Sequence, residues 1–336
     1  MSTTQRENWI DYAKFFSIFL VVLFHTNPNL DGFTFEFLKL LRMPAFFLIA
    51  GFLFNSDKWN NFFVFFKHRF KRLLIPYFWF YIFFYALWLV FGRNLVGGDE
   101  LNINILSPIT EFFTGKPNII LAPYWFITCL FSIQIIFYFL RKIIHSNLIL
   151  LSLSLVLYYV VLIFDLTNLP WCLDKALLYL PFYSFANILK KTIKNINHNN
   201  VTLVITLTAT ALTILCINTY TTNTSKYLNY LLYVISGLSI MPAYIIFCKY
   251  IDKIIGPINL IKYIGENNII TLALQNYIIG FIKIIGIMIF TTNLLTTNYY
   301  SINIVITIIT IFISMLISIF INKYTPFVIG KINQNK

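Results

Sequence analysis

A histidine and an arginine stand seventeen positions apart in this chain, at the end of WIDYAKFFSIFLVVLFH and the start of RMPAFFLIAGFLF. Imidazole can take a proton from a hydroxyl at neutral pH, and a guanidinium can steady a developing oxyanion. Both lie in apolar stretches, where a charged side chain costs about 2.5 to 3.5 kcal/mol and is retained for a partner or a task. Lys14 precedes His25 by eleven positions, so the two share a helix face about 16 Å apart along its axis. Asp11 lies one turn below Lys14 on a neighbouring face. At about 1.5 Å per residue, His25 is about 24 Å from Trp9 and Arg42 about 18 Å from Phe54. With the second stretch running back, His25 and Arg42 reach similar depth and read as one site. The plainer alternative has Lys14 snorkelling to the headgroups and His25 wet at a helix end.

Further polar groups follow. KHRFKRLLIPYF places Arg69 and Arg72 one turn apart at the mouth of a span. Arginine forks grip phosphate oxygens at two points, although a basic cluster beside a membrane also serves anionic headgroups. APYWFITCLF brings Tyr124 and Trp125 to the opposite mouth, where an interfacial aromatic belt would look the same. GENNIITLALQNY carries Glu266, Asn267, Asn268, Gln275 and Asn276. Amides at mid-depth commonly bridge helices, the structural reading of Gln275 and Asn276.

The elements that must position these groups are membrane helices. Hydrophobic residues make up 59% of the chain and charged residues 11%, against about 45 to 50% and about 25% in a soluble domain. Ten stretches are long enough to cross: Trp9 to His25, Phe35 to Phe54, Phe70 to Phe91, Ala122 to Leu140, Leu148 to Phe164, Trp171 to Leu189, Val201 to Ile217, Leu228 to Tyr250, Ile264 to Phe290 and Ile302 to Ile321. The sixth contains Asp174, Lys175 and Pro181, and the ninth, with Lys283, is long enough to tilt or break. The pattern predicts an all-α polytopic bundle, one domain over residues 1–336.

Lysine and arginine favour alternate loops. Lys58, Lys67, Arg69, Lys71 and Arg72 separate spans two and three, Arg141 and Lys142 spans four and five. Lys190, Lys191 and Lys194 follow span six, Lys249, Lys253 and Lys262 follow span eight, and the tail has Lys323, Lys331 and Lys336. Asn27 to Thr34 has none, and 93–121 has two against Asp99, Glu100 and Glu111. The positive-inside rule then puts both termini in the cytoplasm. This placement accounts for the net charge of +13 without a nucleic-acid partner. The first span has no small-residue cleavage site after it, so it reads as a span and not a signal peptide. Cys129, Cys172, Cys216 and Cys248 are scattered through apolar segments without metal-ligand spacing, so buried thiols and no metal are expected.

IDYAKFFSIFLVVLFH, RMPAFFLIAGFLF, KRLLIPYFWF and PYWFI occur in the order seen in the acyltransferase family 3 membrane proteins. The chain resembles that family over nearly its whole length, and within it the fucose 4-O-acetylase type of sugar O-acetyltransferase. The family's basic residue, ten positions and histidine fall on Lys14 and His25, and its arginine pair on Arg69 and Arg72. Where family members often carry a histidine in the ninth span, this chain has Gln275.

The resemblance implies transfer of an acyl group, usually acetyl from acetyl-CoA, to a hydroxyl of a cell-envelope polysaccharide or its lipid-linked precursor at the cytoplasmic (inner) membrane. Acetyl-CoA would be a donor substrate, with no permanently bound cofactor; membrane lipids are the remaining partners. On this reading Arg69, Arg72 and Lys14 bind the coenzyme, and His25 is the general base. Arg42 steadies the oxyanion or orients His25, Asp11 anchors Lys14 or primes a proton path, and the acceptor passes Trp125 and Glu111, with Gln275 beside it. Direct transfer and an acyl-His25 intermediate both fit. Two rivals are an exporter of a glycan or lipid-linked glycan, with the same groups lining its path, and a non-catalytic subunit of an assembly complex.

Overall fold

The computed structural model describes residues 7–26, 32–92, 104–116, 122–193, 201–220, 225–289 and 300–331. The 27–31 connection, Arg93, Asp99, Glu100, Lys194, Lys336 and the Cys216 side chain, all used above, lie outside the described residues. Every regular element among the described residues is helical. In chain order these are α1 (Trp9–Thr26), α2 (Gly32–Phe52), α3 (Phe62–Arg69) and α4 (Ile75–Leu87). Then come α5 (Ser107–Thr114), α6 (Trp125–Ile143), α7 (Asn147–Ile163), α8 (Leu173–Ile193) and α9 (Val201–Tyr220). The last four are α10 (Lys226–Ile255), α11 (Asn259–Glu266), α12 (Asn268–Ile289) and α13 (Tyr300–Tyr324).

Among the described residues, six helices are long and apolar enough to cross a membrane: α1, the Phe62–Val90 run, α6, and stretches Tyr227–Ile255 of α10, Asn268–Gly286 of α12 and Tyr300–Tyr324 of α13. Of the others, α7 is apolar but short. α2 carries Glu36, Lys39 and Arg42, and α8 carries Asp174, Lys175, Lys190 and Lys191. The protein is therefore a multi-pass helical membrane protein. The long ninth stretch is broken: α11 ends at Asn267, whose side-chain amide donates to the Tyr263 carbonyl at 2.9 Å, and α12 starts anew.

The chain divides into two compact units. The first comprises residues up to Phe54 and Pro181–Ser318. Within it α1 packs closely against α2, α10, α11 and α12. Tyr244 of α10 fixes α1 by donating to the Ala13 carbonyl at 2.6 Å and lying 2.9 Å from the Ser17 hydroxyl. Gly265 lets α11 come close: a Cβ there would stand 3.1 Å from the Asp11 carbonyl oxygen and 3.4 Å from Lys14 Cβ. Small residues at such crossings are how membrane helices gain van der Waals contact where no hydrophobic drive exists between them.

The second unit comprises Asn55–Leu180 and Ile319–Lys336. Its long helix begins at Phe62, capped by Asn61, whose side chain accepts from Phe63 N–H at 2.8 Å. The basic segment KHRFKR is thus helical and not loop. Between α3 and α4 one turn, Phe70–Leu74, is π, with the Ile75 N–H donating five residues back to Phe70. Pro76 accounts for it, since proline has no N–H to give and its ring crowds the preceding turn.

Candidate functional site

In the first unit the polar groups cluster around α1. Arg42 lays its guanidinium on the Phe24 ring, 3.5 Å from the centroid, and the His25 ring meets the same Phe24 at 5.6 Å. Arg42 is near enough for its charge to act on the imidazole. A guanidinium on a desolvated aromatic face gains about 0.5 to 2 kcal/mol. The ring also fixes the fork's plane, so Phe24 holds Arg42 beside His25. That arrangement offers a proton acceptor and a multi-donor cation at one place in a water-poor environment, the equipment for attack on a carbonyl.

Asp11 and Lys14 sit lower on the same helix, where α11 crosses it. Asp11 is buried and Lys14 half-buried, both against Gly265. Asp252 of α10 lies near enough to Asp11 for the two carboxylates to interact. Gln275 of α12 is completely buried, and neither its amide oxygen nor its nitrogen has a hydrogen-bond partner among the described residues.

In the second unit Arg69 and Arg72 have different surroundings. Arg69 is half-buried, with its guanidinium 5.6 Å from the Trp59 ring and 5.2 Å from Phe65. Arg72 is exposed, and the π turn between the two changes their angle from that of an α-helix. Lys58, Arg69 and Arg72 still gather their charge around His68, whose ring lies 4.9 Å from Trp59. Trp59 is thus the centre of a basic cluster that the spacing of the arginines did not reveal.

The other named groups of this unit meet through aromatic contacts. Trp125 opens α6 and stacks on Tyr179 at 6.1 Å, with the Lys175 ammonium 4.5 Å from the Trp125 centroid. Glu111 lies on α5, next to Phe112, which stacks on Tyr77 at 5.6 Å; Tyr77 meets Tyr124 at 6.0 Å, one residue before Trp125. Tyr124 is itself buried, so the aromatic row runs from α5 inward to the start of α6. Lys175 and Tyr179 carried no signal in the sequence beyond a charge and a ring.

Cys129, Cys172 and Cys248 are buried free thiols. Cys172 donates to the Gly115 carbonyl at 3.3 Å, and Thr128 donates to the same oxygen at 3.0 Å.

The most readable signal passed over is on α13. Asn303, Thr307, Thr310, Ser314 and Ser318 recur at helical spacing in an otherwise aliphatic helix and are all buried. The opposite side, with Ile304, Ile308, Phe312 and Leu316, is exposed.

No curated protein and no solved structure matches this chain. A family profile described as an acyltransferase domain matches residues 7–323, and the chain belongs to that family, acyltransferase family 3.

Proposed function

We propose that this membrane acyltransferase moves an acyl group, acetyl first among them, from acyl-CoA to a hydroxyl of a cell-envelope polysaccharide or its lipid-linked precursor. The observation that carries the reading is the pairing of His25 with Arg42 across Phe24, inside the helix bundle of a family 3 chain. His25 takes the proton of the acceptor hydroxyl as its oxygen bonds to the thioester carbonyl carbon. Arg42 carries the charge on the carbonyl oxygen while the tetrahedral centre exists. The C–S bond then breaks, and the coenzyme thiolate leaves with the proton that His25 returns. Asp11 positions Lys14.

Arg69 and Arg72 are the second unit's groups for coenzyme phosphates, and Lys14 is the first unit's. The acceptor-side groups are Trp125 and Glu111 in the second unit and Gln275 in the first. Ten spans, cytoplasmic termini and residence in the inner membrane complete the reading.

The test supplies radiolabelled acetyl-CoA to membranes holding wild type or His25→Ala, and follows label into glycan and lipid-linked glycan. Label with wild type and none with the variant is the expected result. Wild-type membranes that export glycan without covalent change, silent with every acyl-CoA, would show a carrier instead.

A further inference from the structure

Lys175 stands where lysine is scarce. The segments that lead into α6 and α8, 93–124 and 164–172, hold only Arg93 and Lys116 between them, and Lys175 follows in the first turn of α8. Its ammonium lies 4.5 Å from the centre of the Trp125 ring, a cation–π contact. A ring face attracts the charge but gives the three N–H groups no oxygen to bond. Among the described residues Lys175 makes no hydrogen bond and no ion pair, either with its neighbour Asp174 or with another acid. It is half-buried, as are Trp125 and Tyr179, so part of each side chain is open to a visitor.

The backbone that delivers Lys175 is unusual. Trp171 and Cys172, just ahead of α8, have φ of +57° and +50°, a left-handed conformation that crowds the Cβ of any residue but glycine. Neighbouring elements enforce it. Ser132 of α6 donates to the Trp171 carbonyl at 2.8 Å, and Cys172 donates to the Gly115 carbonyl at the end of α5. A Cβ on Gly115 would stand 3.1 Å from Trp171 Cα, so the turn seats closely there. Backbone strain of this kind persists only where the surroundings hold it, and it concentrates at binding sites.

The turn fixes the direction in which α8 starts. Lys175 and Tyr179 are one helical turn apart on one face. Both meet Trp125, which stacks on Tyr179 at 6.1 Å with 26° between the rings. The result is a cation set in an aromatic surround, partly desolvated and aimed by the fold. For a neutral sugar, a hydroxyl or amide at this place would serve without the desolvation of a charge.

We propose that Lys175, held by Trp125 and Tyr179, binds an anionic group on the acceptor, so that the acceptor is an acidic glycan. The anion is either a carboxylate on a sugar or a phosphate at the lipid end. The inference rests on the acyl-transfer reading and adds the charge of the acceptor. The rings offer apolar surface to sugar C–H groups, while the ammonium makes a charge-assisted hydrogen bond to the anion.

The test uses full-length protein in detergent, labelled acetyl-CoA, and glycan and lipid-linked glycan extracted from membranes that lack the protein. Three competitors are added in turn: a glucuronate-terminated trisaccharide, its glucose-terminated counterpart, and a polyprenyl phosphate. Lys175→Met removes the charge at similar length, and Lys175→Arg restores it. Lys142→Met is the control, since Lys142 also lies on a ring, 5.6 Å from Tyr138, but at the far end of α6. Lys175→Met is expected to raise KM for the extract about tenfold, with kcat and KM for acetyl-CoA within twofold of wild type. Inhibition by the acidic competitor should weaken about tenfold in the same variant. Lys175→Arg should recover both, and the control should match wild type.

Inhibition by the glucuronate trisaccharide assigns the anion to a sugar, and inhibition by the polyprenyl phosphate assigns it to the lipid end. The proposal is overturned if no competitor inhibits, or if inhibition is as strong in Lys175→Met. It is overturned equally if the two trisaccharides compete alike while the polyprenyl phosphate is inert. Lys175→Met with wild-type KM for the extract would make the lysine structural, all the more if its melting temperature falls. Wild type that transfers nothing from any acyl-CoA would remove the functional reading itself, a result distinct from all the others, and the proposal with it.

Discussion

The guanidinium carbon of Arg42 stands 3.5 Å from the centre of the Phe24 ring, and Phe24 immediately precedes His25. One aromatic ring therefore sets both the depth and the plane of the arginine beside the histidine. Arg42→Lys keeps the charge but loses the flat fork that stacks and donates at two points. It is expected to reduce kcat by about a hundredfold, the scale of losing one oxyanion donor. Arg42→Lys with wild-type turnover in a transfer assay would exclude an oxyanion role.

Phe24→Leu separates position from charge. Leucine preserves apolar bulk and the helix but removes the ring face that holds Arg42, so kcat is expected to fall about tenfold, less than for Arg42→Lys. Activity equal to wild type, measured at equal amounts of folded protein, would show that Phe24 is packing alone.

Gly330 has a parallel role in the second unit. Its φ of +68° suits glycine, and a Cβ there would overlap the Lys71 carbonyl, on the π turn that separates Arg69 from Arg72. Gly330→Ala is expected to destabilise the protein by about 1 to 3 kcal/mol, from backbone strain and overlap together. The check is thermal unfolding in detergent. Because Lys71 lies between the arginines, the same variant should raise KM for acyl-CoA more than it changes kcat.

Much of this was legible in the sequence, and the reasons for the rest are physical. Helical type and the apolar runs followed from composition, because a membrane leaves the backbone few other ways to satisfy its hydrogen bonds. His25 and Arg42 could be paired by counting residues, since rise per residue fixes depth in a straight helix. Counting fails where helices deviate. The π turn ahead of Pro76 changes the angle between Arg69 and Arg72, and the break at Asn267 moves Ile264 out of the helix that carries Gln275. Trp59 was invisible because its partners His68 and Arg69 reach back to it from the far end of α3, while Trp59 itself stands before that helix, just after a short 3-10 turn. Thr310 and Ser314 were written in the periodicity of α13, yet their lack of a backbone partner is a property of side-chain rotation that no spacing records.

The basic cluster around Trp59 separates phosphate binding from headgroup binding. Arg69 rests on the indole while Arg72 is exposed. For coenzyme phosphates, Arg69→Ala should raise KM for acetyl-CoA at least tenfold, and Trp59→Leu should raise it several-fold by releasing Arg69. Added salt should weaken binding in wild type more than in Arg69→Ala. A cluster that only held anionic lipid would leave KM unchanged in both variants.

Cys172 tests how closed the second unit is. Its thiol is buried, donates to the Gly115 carbonyl at 3.3 Å and lies 3.4 Å from the Thr128 hydroxyl oxygen. A maleimide must reach the sulfur, and only an ionised thiol attacks it, so labelling requires these contacts to open first. The folded protein should therefore label at Cys172 at least about a hundredfold more slowly than the chain in denaturant, the factor set by the cost of that opening. Thr128→Val removes the hydroxyl that donates to the Gly115 carbonyl and lies against the sulfur, while keeping the side-chain volume. Losing such a bond is worth about 1 kcal/mol, so labelling of the folded variant should speed up about fivefold. Mass spectrometry of peptides after timed labelling reads both rates, with the buried Cys129 of α6 as an internal comparison. Labelling of Cys172 as fast in the folded protein as in denaturant would mean that the Gly115, Thr128 and Cys172 contacts open readily and that this end of α6 is not a closed wall.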